Sequence, residues 1–208
     1  MNKPEATTKE QQIIQKSREL IFCYGSKSLT MDDISQHLGI SKKTLYQVVA
    51  NKAELIDKIV QLTIDDHMDG VQCMVQGAEN AIEEMLQIYR QNNAMMKKMN
   101  VSLAFELKKY FPESWEKLEN FRNEFIHQSV IRNLTNGMQT GFYRDDLNIK
   151  VIATLYAVRT LDMMNTALFP PDEFPSNTIL HEMFLYHLRG IASAKGLEYL
   201  EKNVVLDF

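Results

Sequence analysis

Turn-forming residues are scarce in this chain of 208 residues: it has eight glycines and five prolines, and no proline falls between Pro4 and Pro112. A β-sandwich or barrel of this length needs many tight turns, each usually marked by Gly, Pro or Asn-Gly. An all-β fold is therefore excluded and an all-α one expected. Cysteine is nearly absent. Cys23 and Cys73 lie 50 positions apart with no CxxC spacing, which excludes a zinc cluster and a disulfide framework; both read as reduced thiols in or near cores. No uninterrupted apolar stretch approaches the roughly 20 residues of a membrane helix. The opening segment MNKPEATTKEQQ also lacks the apolar region of a signal peptide, so a cytoplasmic protein with no membrane partner is expected.

Catalytic signatures are missing as well. There is no glycine-rich phosphate loop, HExxH, GxSxG or Cys–His pairing. Asp65, Asp66, His67 and Asp69 cluster in sequence, but consecutive helical residues point in different directions; His181 and His187 fall on opposite sides of a helix. No enzymatic activity, metal or cofactor is expected.

What remains is an ordinary globular composition, 45% apolar and 24% charged, with a net charge of −4. The charge is unevenly spread. Residues 1–52 carry eight Lys/Arg and five Asp/Glu, a balance of +3, and the remainder carries −7. A basic front on an acidic body fits a small anion-binding module joined to something else. We divide the chain accordingly, into residues 1–52 and 53–208.

Apolar periodicity predicts a first helix from about Thr8 to Tyr24, closed by Gly25, and a second capped by Thr30 and ending at Leu38-Gly39. Ser41 caps a third helix. Asn51 caps a fourth, with Leu55, Ile56, Ile59, Val60, Ile64, Met68 and Val71 as its stripe. Longer helices are expected over roughly 79–98, 100–110, 113–139, 148–168 and 176–201. The segment from Met31 to Val48 has the skeleton of a helix-turn-helix. Ile34 and Leu38 line its first helix, Gly39 makes the turn, and Ile40, Leu45 and Val48 close the small core. Ser35 stands where the two helices approach. The polar remainder of the second helix, Ser41, Lys42, Lys43, Thr44, Tyr46 and Gln47, faces outward as a major-groove helix requires.

The run Leu38-Gly39-Ile40-Ser41-Lys42-Lys43-Thr44-Leu45-Tyr46, followed by Asn51-Lys52-Ala53-Glu54-Leu55, resembles the N-terminal domain of TetR-family transcriptional regulators over roughly residues 8–65. Two positions depart from the family pattern: Val49 stands where many members have an aromatic residue, and Ser35 where many have Ala. The resemblance implies a DNA-binding three-helix bundle and a larger helical C-terminal domain for dimerisation and ligand binding. By the same resemblance Tyr46 and Lys52 contact phosphates, Thr44 a phosphate or thymine methyl, and Thr30 a phosphate at its helix N-terminus. Lys42, Lys43 and Gln47 read base edges, since Lys suits guanine and Gln adenine. Lys3 and Lys9 belong to an N-terminal arm. The partner implied is double-stranded DNA bearing a palindromic operator.

Ten of the twelve methionines fall after residue 60, and flexible thioethers suit a cavity accepting varied apolar shapes. Met85, Tyr89, Met96, Phe105, Phe121, Phe125 and Tyr156 are the candidate lining for a small apolar or amphipathic effector, whose binding the family resemblance implies. Segments 148–168 and 176–201 are apolar on more than one face, as in a helix central to a core or packed on a partner. The resemblance assigns them to a homodimer interface through Ile152, Tyr156, Arg159, Met163, Leu180, Phe184, Leu188 and Ile191. The implied function is a repressor released by its effector. The alternative is a DNA-binding head whose body is a protein-interaction module without a ligand.

Overall fold

The computed structural model describes residues 8–203, apart from the side chain of Leu161. The opening segment with Lys3 lies outside the described residues. The chain forms two compact units. One, the head, takes the residues up to Asp66 together with Lys98–Leu118; the other, the body, takes His67–Lys97 and the residues from Glu119 on.

The head begins with α1 (Lys9–Tyr24), and Lys9, expected on an arm, is its first residue. Thr8 and Gln11 cap it reciprocally, each side chain bonded to the other's backbone N–H at 3.2 and 2.8 Å. Ile13, Ile14, Ser17 and Ile21 are its buried stripe. The helix stops at Gly25, whose φ of 83° suits glycine and whose N–H donates to the Ile21 carbonyl. Next come α2 (Met31–His37), α3 (Lys42–Tyr46) and the first part of α4 (Lys52–Gly77). Gly39, at φ 64°, makes the turn between α2 and α3, and the Ile40 N–H donates to the Ser35 carbonyl at 3.1 Å. Ile34, Leu45, Leu55 and Ile56 are fully enclosed. Val49, only 2% exposed, closes the end of α3 with an aliphatic side chain. Val48 is half-buried.

The head also takes in chain from far downstream. In α6 (Leu103–Tyr110) the buried residues are Leu103, Ala104 and Leu107. The Asn100 N–H donates to the Phe22 carbonyl at 2.6 Å, and Lys117, in α7 (Pro112–Phe121), pairs with Asp57 at 2.8 Å.

The body is built from α5 (Ala81–Met96), α8 (His127–Gln139), α9 (Ile149–Asp162), α10 (Ser176–Ile191) and α11 (Ala194–Asn203), around a core that includes Ile82, Leu86, Leu134, Phe184 and Leu188. A π-helical turn, Arg122–Ile126, joins α7 to α8 within one continuous helical run.

Two predicted helices are shorter than expected. The one over 148–168 ends at Asp162, where turns take over and the Asn165 carboxamide captures the Ala167 N–H at 3.0 Å, competing with the helical bond. The one over 176–201 breaks at Ala192, whose ψ of 140° leaves the helical region. Hydrogen bonds from Arg144 to Ile191 and from Ser193 to Phe142 hold that break open, and Ser193 Oγ then accepts from the Gly196 N–H to restart the helix. Cys23 and Cys73 are both exposed, not in cores as composition had indicated. Among the described residues no helix is long and apolar enough to cross a membrane, and no cluster of three potential metal ligands occurs.

Candidate nucleic-acid interface

The helix-turn-helix separates its faces cleanly. Leu45 is fully buried, while Ser41, Lys42, Lys43, Tyr46 and Gln47 around it are exposed and Thr44 is half-buried. Ser41 caps α3 by accepting from the Thr44 N–H at 3.1 Å, and its hydroxyl also meets that of Thr44 at 2.9 Å. Tyr46 is 48% exposed, a large aromatic ring left unburied beside a closed core. Two lysines and a glutamine on one short exposed helix supply the donors that base edges and phosphates accept.

Three of the residues expected to contact DNA, Thr30 and Lys52 at phosphates and Lys42 at a base edge, are tied to the protein itself. Thr30 caps α2 in a reciprocal pair with Asp33: the Asp33 N–H donates to Thr30 Oγ1, and Asp33 Oδ2 accepts from the Thr30 N–H and hydroxyl at 2.8 and 2.6 Å. These bonds from Thr30 hold the Asp33 carboxyl below its usual range. Lys42 forms an ion pair with Asp32 of α2. Lys52 turns inward and donates its ammonium to the Leu29 carbonyl. Burial lowers its pKa, with the carboxylates of Glu106 and Asp33 opposing that effect.

Sequence spacing passed over several residues that shape this surface. Lys58 donates to Glu10 at 2.7 Å and to the Val48 carbonyl at 2.9 Å, pinning the chain just beyond α3; the Glu10 bond raises its pKa. Glu54 donates its N–H to Asn51 Oδ1 at 2.9 Å, capping the start of α4, and its carboxylate accepts from the Ala50 N–H at 2.6 Å. Glu106 closes onto the loop before α2. A capping-box spacing finds the Asn51–Glu54 pair and an i, i+4 spacing the Glu54–Lys58 ion pair at 3.8 Å; nothing local in sequence announces Glu106.

The effector candidates scatter. Met85, Tyr89 and Met96 are buried in the body's core, where Tyr89 stacks on Phe184 at 4.5 Å and its hydroxyl meets His181 at 3.1 Å. Phe121 and Phe125 stack on each other at 5.3 Å across the π-helical turn. Phe105 belongs to the head, on α6, and is 53% exposed. Tyr156 packs on His187 at 4.6 Å and lines an open concavity of ≈ 590 Å³ with Ile152, Arg159 and Met183.

The residues assigned to a dimer interface divide in two. Leu180, Phe184, Leu188, Ile191 and Met163 are enclosed in the chain's own core and are not available to a partner. Ile152 and Tyr156 are half-buried and Arg159 is exposed. The outward apolar side chains are instead Val151, Leu155 and Val158 on one face of α9, and Tyr186 of α10, whose ring lies 5.1 Å beneath the Arg159 guanidinium.

A capped helix pair, a glycine turn and an exposed cationic second helix define a helix-turn-helix DNA-binding head on a helical body. Residues 13–59 match the model of bacterial regulatory proteins of the tetR family. Over those residues the chain carries the DNA-binding helix-turn-helix of that family, and it is similar there to TetR-family transcriptional regulators. It is 29% identical, over 134 residues, to an uncharacterized HTH-type transcriptional regulator, YvaF, of Bacillus subtilis (strain 168), a match covering 58% of this chain and 70% of the relative. Its fold is that of a regulatory protein TetR from Rhodobacter sphaeroides, with a TM-score of 0.70 at 15% identity, covering 88% of this chain and 98% of that one. It is also that of a transcriptional regulator from Saccharomonospora viridis in complex with choline, with a TM-score of 0.67 at 13% identity, covering 88% and 97%.

Proposed function

We propose that the protein is a homodimeric repressor that binds a palindromic operator and leaves it when a small apolar or amphipathic effector occupies the body. The observation that carries the DNA-binding half is the exposed face of α3, where Lys42, Lys43, Tyr46 and Gln47 stand over the buried Leu45. In this reading those four side chains and Thr44 meet bases and phosphates, and Thr30, Ser41 and Lys52 set the helix ends that face the backbone. Two heads related by a two-fold axis read half-sites about one helical turn apart.

Dimerisation is assigned to α9 and α10. Val151, Leu155 and Val158 recur at helical spacing and leave apolar surface in water that a second copy would cover. The effector acts through differential affinity for two arrangements of the heads, only one of which fits successive major grooves. Helix α4, uninterrupted for 26 residues from Lys52, is the covalent lever between the two units. The methionine-rich body and the choline complex of one similar fold support a small-molecule effector.

The test is selection of duplex DNA from a genomic fragment pool by the purified protein, with sedimentation analysis of the complex. A dimer on a palindromic site is expected. Enrichment of no palindrome, or a protein that stays monomeric on DNA, contradicts the reading.

A further inference from the structure

In the loop that joins α1 to α2, two consecutive backbone N–H groups point at one carboxylate oxygen from α6. Glu106 Oε2 accepts from the Ser26 N–H at 2.6 Å, from the Lys27 N–H at 2.8 Å and from the Ser26 hydroxyl at 2.8 Å. The residues are 80 positions apart in sequence. Gly25 and Ser26 are buried and Lys27 is exposed, so it is the Ser26 N–H that depends on this acceptor, a buried N–H without one being costly. Gly25 lies against the same carboxylate, since a Cβ there would stand 3.1 Å from Glu106 Oε2.

What the loop carries makes this contact functional. Three residues beyond Ser26, the Leu29 carbonyl holds the Lys52 ammonium at the start of α4, and Thr30 follows as the cap of α2. Glu106 also acts on Lys52 directly, because its charge favours the protonated lysine against burial. One carboxylate thus fixes the loop, the N-terminus of α2 and the cation at the N-terminus of α4, three elements that set how the helix-turn-helix meets the duplex.

We infer that Glu106 is a positioning residue for DNA binding: it touches no DNA, and it holds the α1–α2 loop, Thr30 and Lys52 in the geometry that binds. The inference rests on DNA binding by the head. The DNA-competent unit then includes α6 as well as the N-terminal helices, and charge-assisted hydrogen bonds of this kind are strong enough for their loss to be read in affinity.

The test uses the full-length protein and the duplex it selects from the fragment pool. Glu106→Ala should weaken binding about tenfold, the scale of one charge-assisted hydrogen bond. Glu106→Gln, which keeps an acceptor oxygen, should lose less. Amide exchange should accelerate at Ser26 and Lys27 while Leu45 in α3 stays protected. Ser26→Ala should add little on top of Glu106→Ala, because the two act as one unit. Wild-type affinity in both Glu106 variants overturns the inference, as do fully additive losses with Ser26→Ala. Should Glu106→Ala fail to fold, Glu106→Gln and the exchange at Ser26 and Lys27 decide it. If the wild-type protein selects no duplex, DNA binding itself fails, and unchanged exchange at Ser26 and Lys27 in a folded Glu106→Ala separately refutes the clamp.

Discussion

Lys42, the first residue of the recognition helix α3, is paired with Asp32 of α2, and both side chains are more than half exposed. A cation proposed to read a base edge therefore has a competing anion one helix away. An exposed pair contributes only about 0–1 kcal/mol, so DNA can displace it at small cost. Asp32→Asn should raise affinity for non-specific duplex by a few-fold at low salt, a gain that shrinks as salt rises. Fluorescence anisotropy with a labelled duplex checks this; equal or weaker binding by the variant contradicts a competing role for Asp32.

Lys52 separates two roles by a stability measurement. Its ammonium is bonded to the Leu29 carbonyl, and burial already works against its charge. Lys52→Met should destabilise the head by about 1–2 kcal/mol in denaturant unfolding, the cost of leaving a partly buried acceptor without its donor. A purely phosphate-contacting lysine would lose DNA affinity with no change in stability.

Gly137 of α8 lies beneath the ring of Tyr143: a Cβ there would stand 2.0 Å from Tyr143 Cδ2. The Tyr143 hydroxyl is 3.0 Å from the Ala81 carbonyl and 2.9 Å from Asn133 Oδ1, and the Asn133 amide donates to the same Ala81 carbonyl at 2.9 Å. Helix propensity alone makes Gly→Ala stabilising by about 1 kcal/mol. Here the sign should reverse, with Gly137→Ala losing roughly 1–3 kcal/mol through overpacking. Tyr143→Phe should cost about 1–2 kcal/mol by stripping a buried network of its donor. Thermal unfolding of the two variants is the check.

His187 titrates in a way that links stability to pH. Burial pushes its pKa down to about 4, and the nearby Arg159 guanidinium adds to the effect. The unfolded chain keeps an ordinary imidazole near 6.5, so it binds the proton more readily than the folded one. Stability from this group is complete above about pH 6.5 and falls as pH drops toward 4, by something on the order of 1–3 kcal/mol. His187→Gln should flatten that part of the stability–pH curve. An unchanged curve contradicts the assignment.

The helix-turn-helix was legible because its determinants are local. Ile34 and Leu45 at their spacing, Gly39 at the turn, and Thr30 and Ser41 as caps all fall within twenty residues, and each is where periodicity and capping rules put it. What spacing could not show is what each polar group bonds to. Thr30, Lys42 and Lys52 sit at the expected helix ends, yet each is engaged by Asp33, Asp32 or Leu29. Glu106 was invisible because its partners come from eighty residues upstream. In the body, apolar residues all round α10 left open which ones face inward. Leu180, Phe184 and Leu188 went to the chain's own core, and Tyr186 was left outside. The break at Ala192 carries no Pro and its nearest glycine, Gly190, is still helical; it arises from backbone bonds to the segment around Phe142 and Arg144.

The central claim is that the exposed face of α3 binds duplex DNA, and the most direct measurement is the affinity of the purified protein for the DNA upstream of its own coding region across a salt series. Specific binding that weakens steeply with salt is expected. Lys42→Ala should weaken it by roughly 1–3 kcal/mol and relax discrimination among related sites, as expected for a base-reading contact. Tyr46→Phe should lower affinity through loss of one hydroxyl–phosphate contact. Binding that ignores salt, or that survives Lys42→Ala and Tyr46→Phe unchanged, would contradict it.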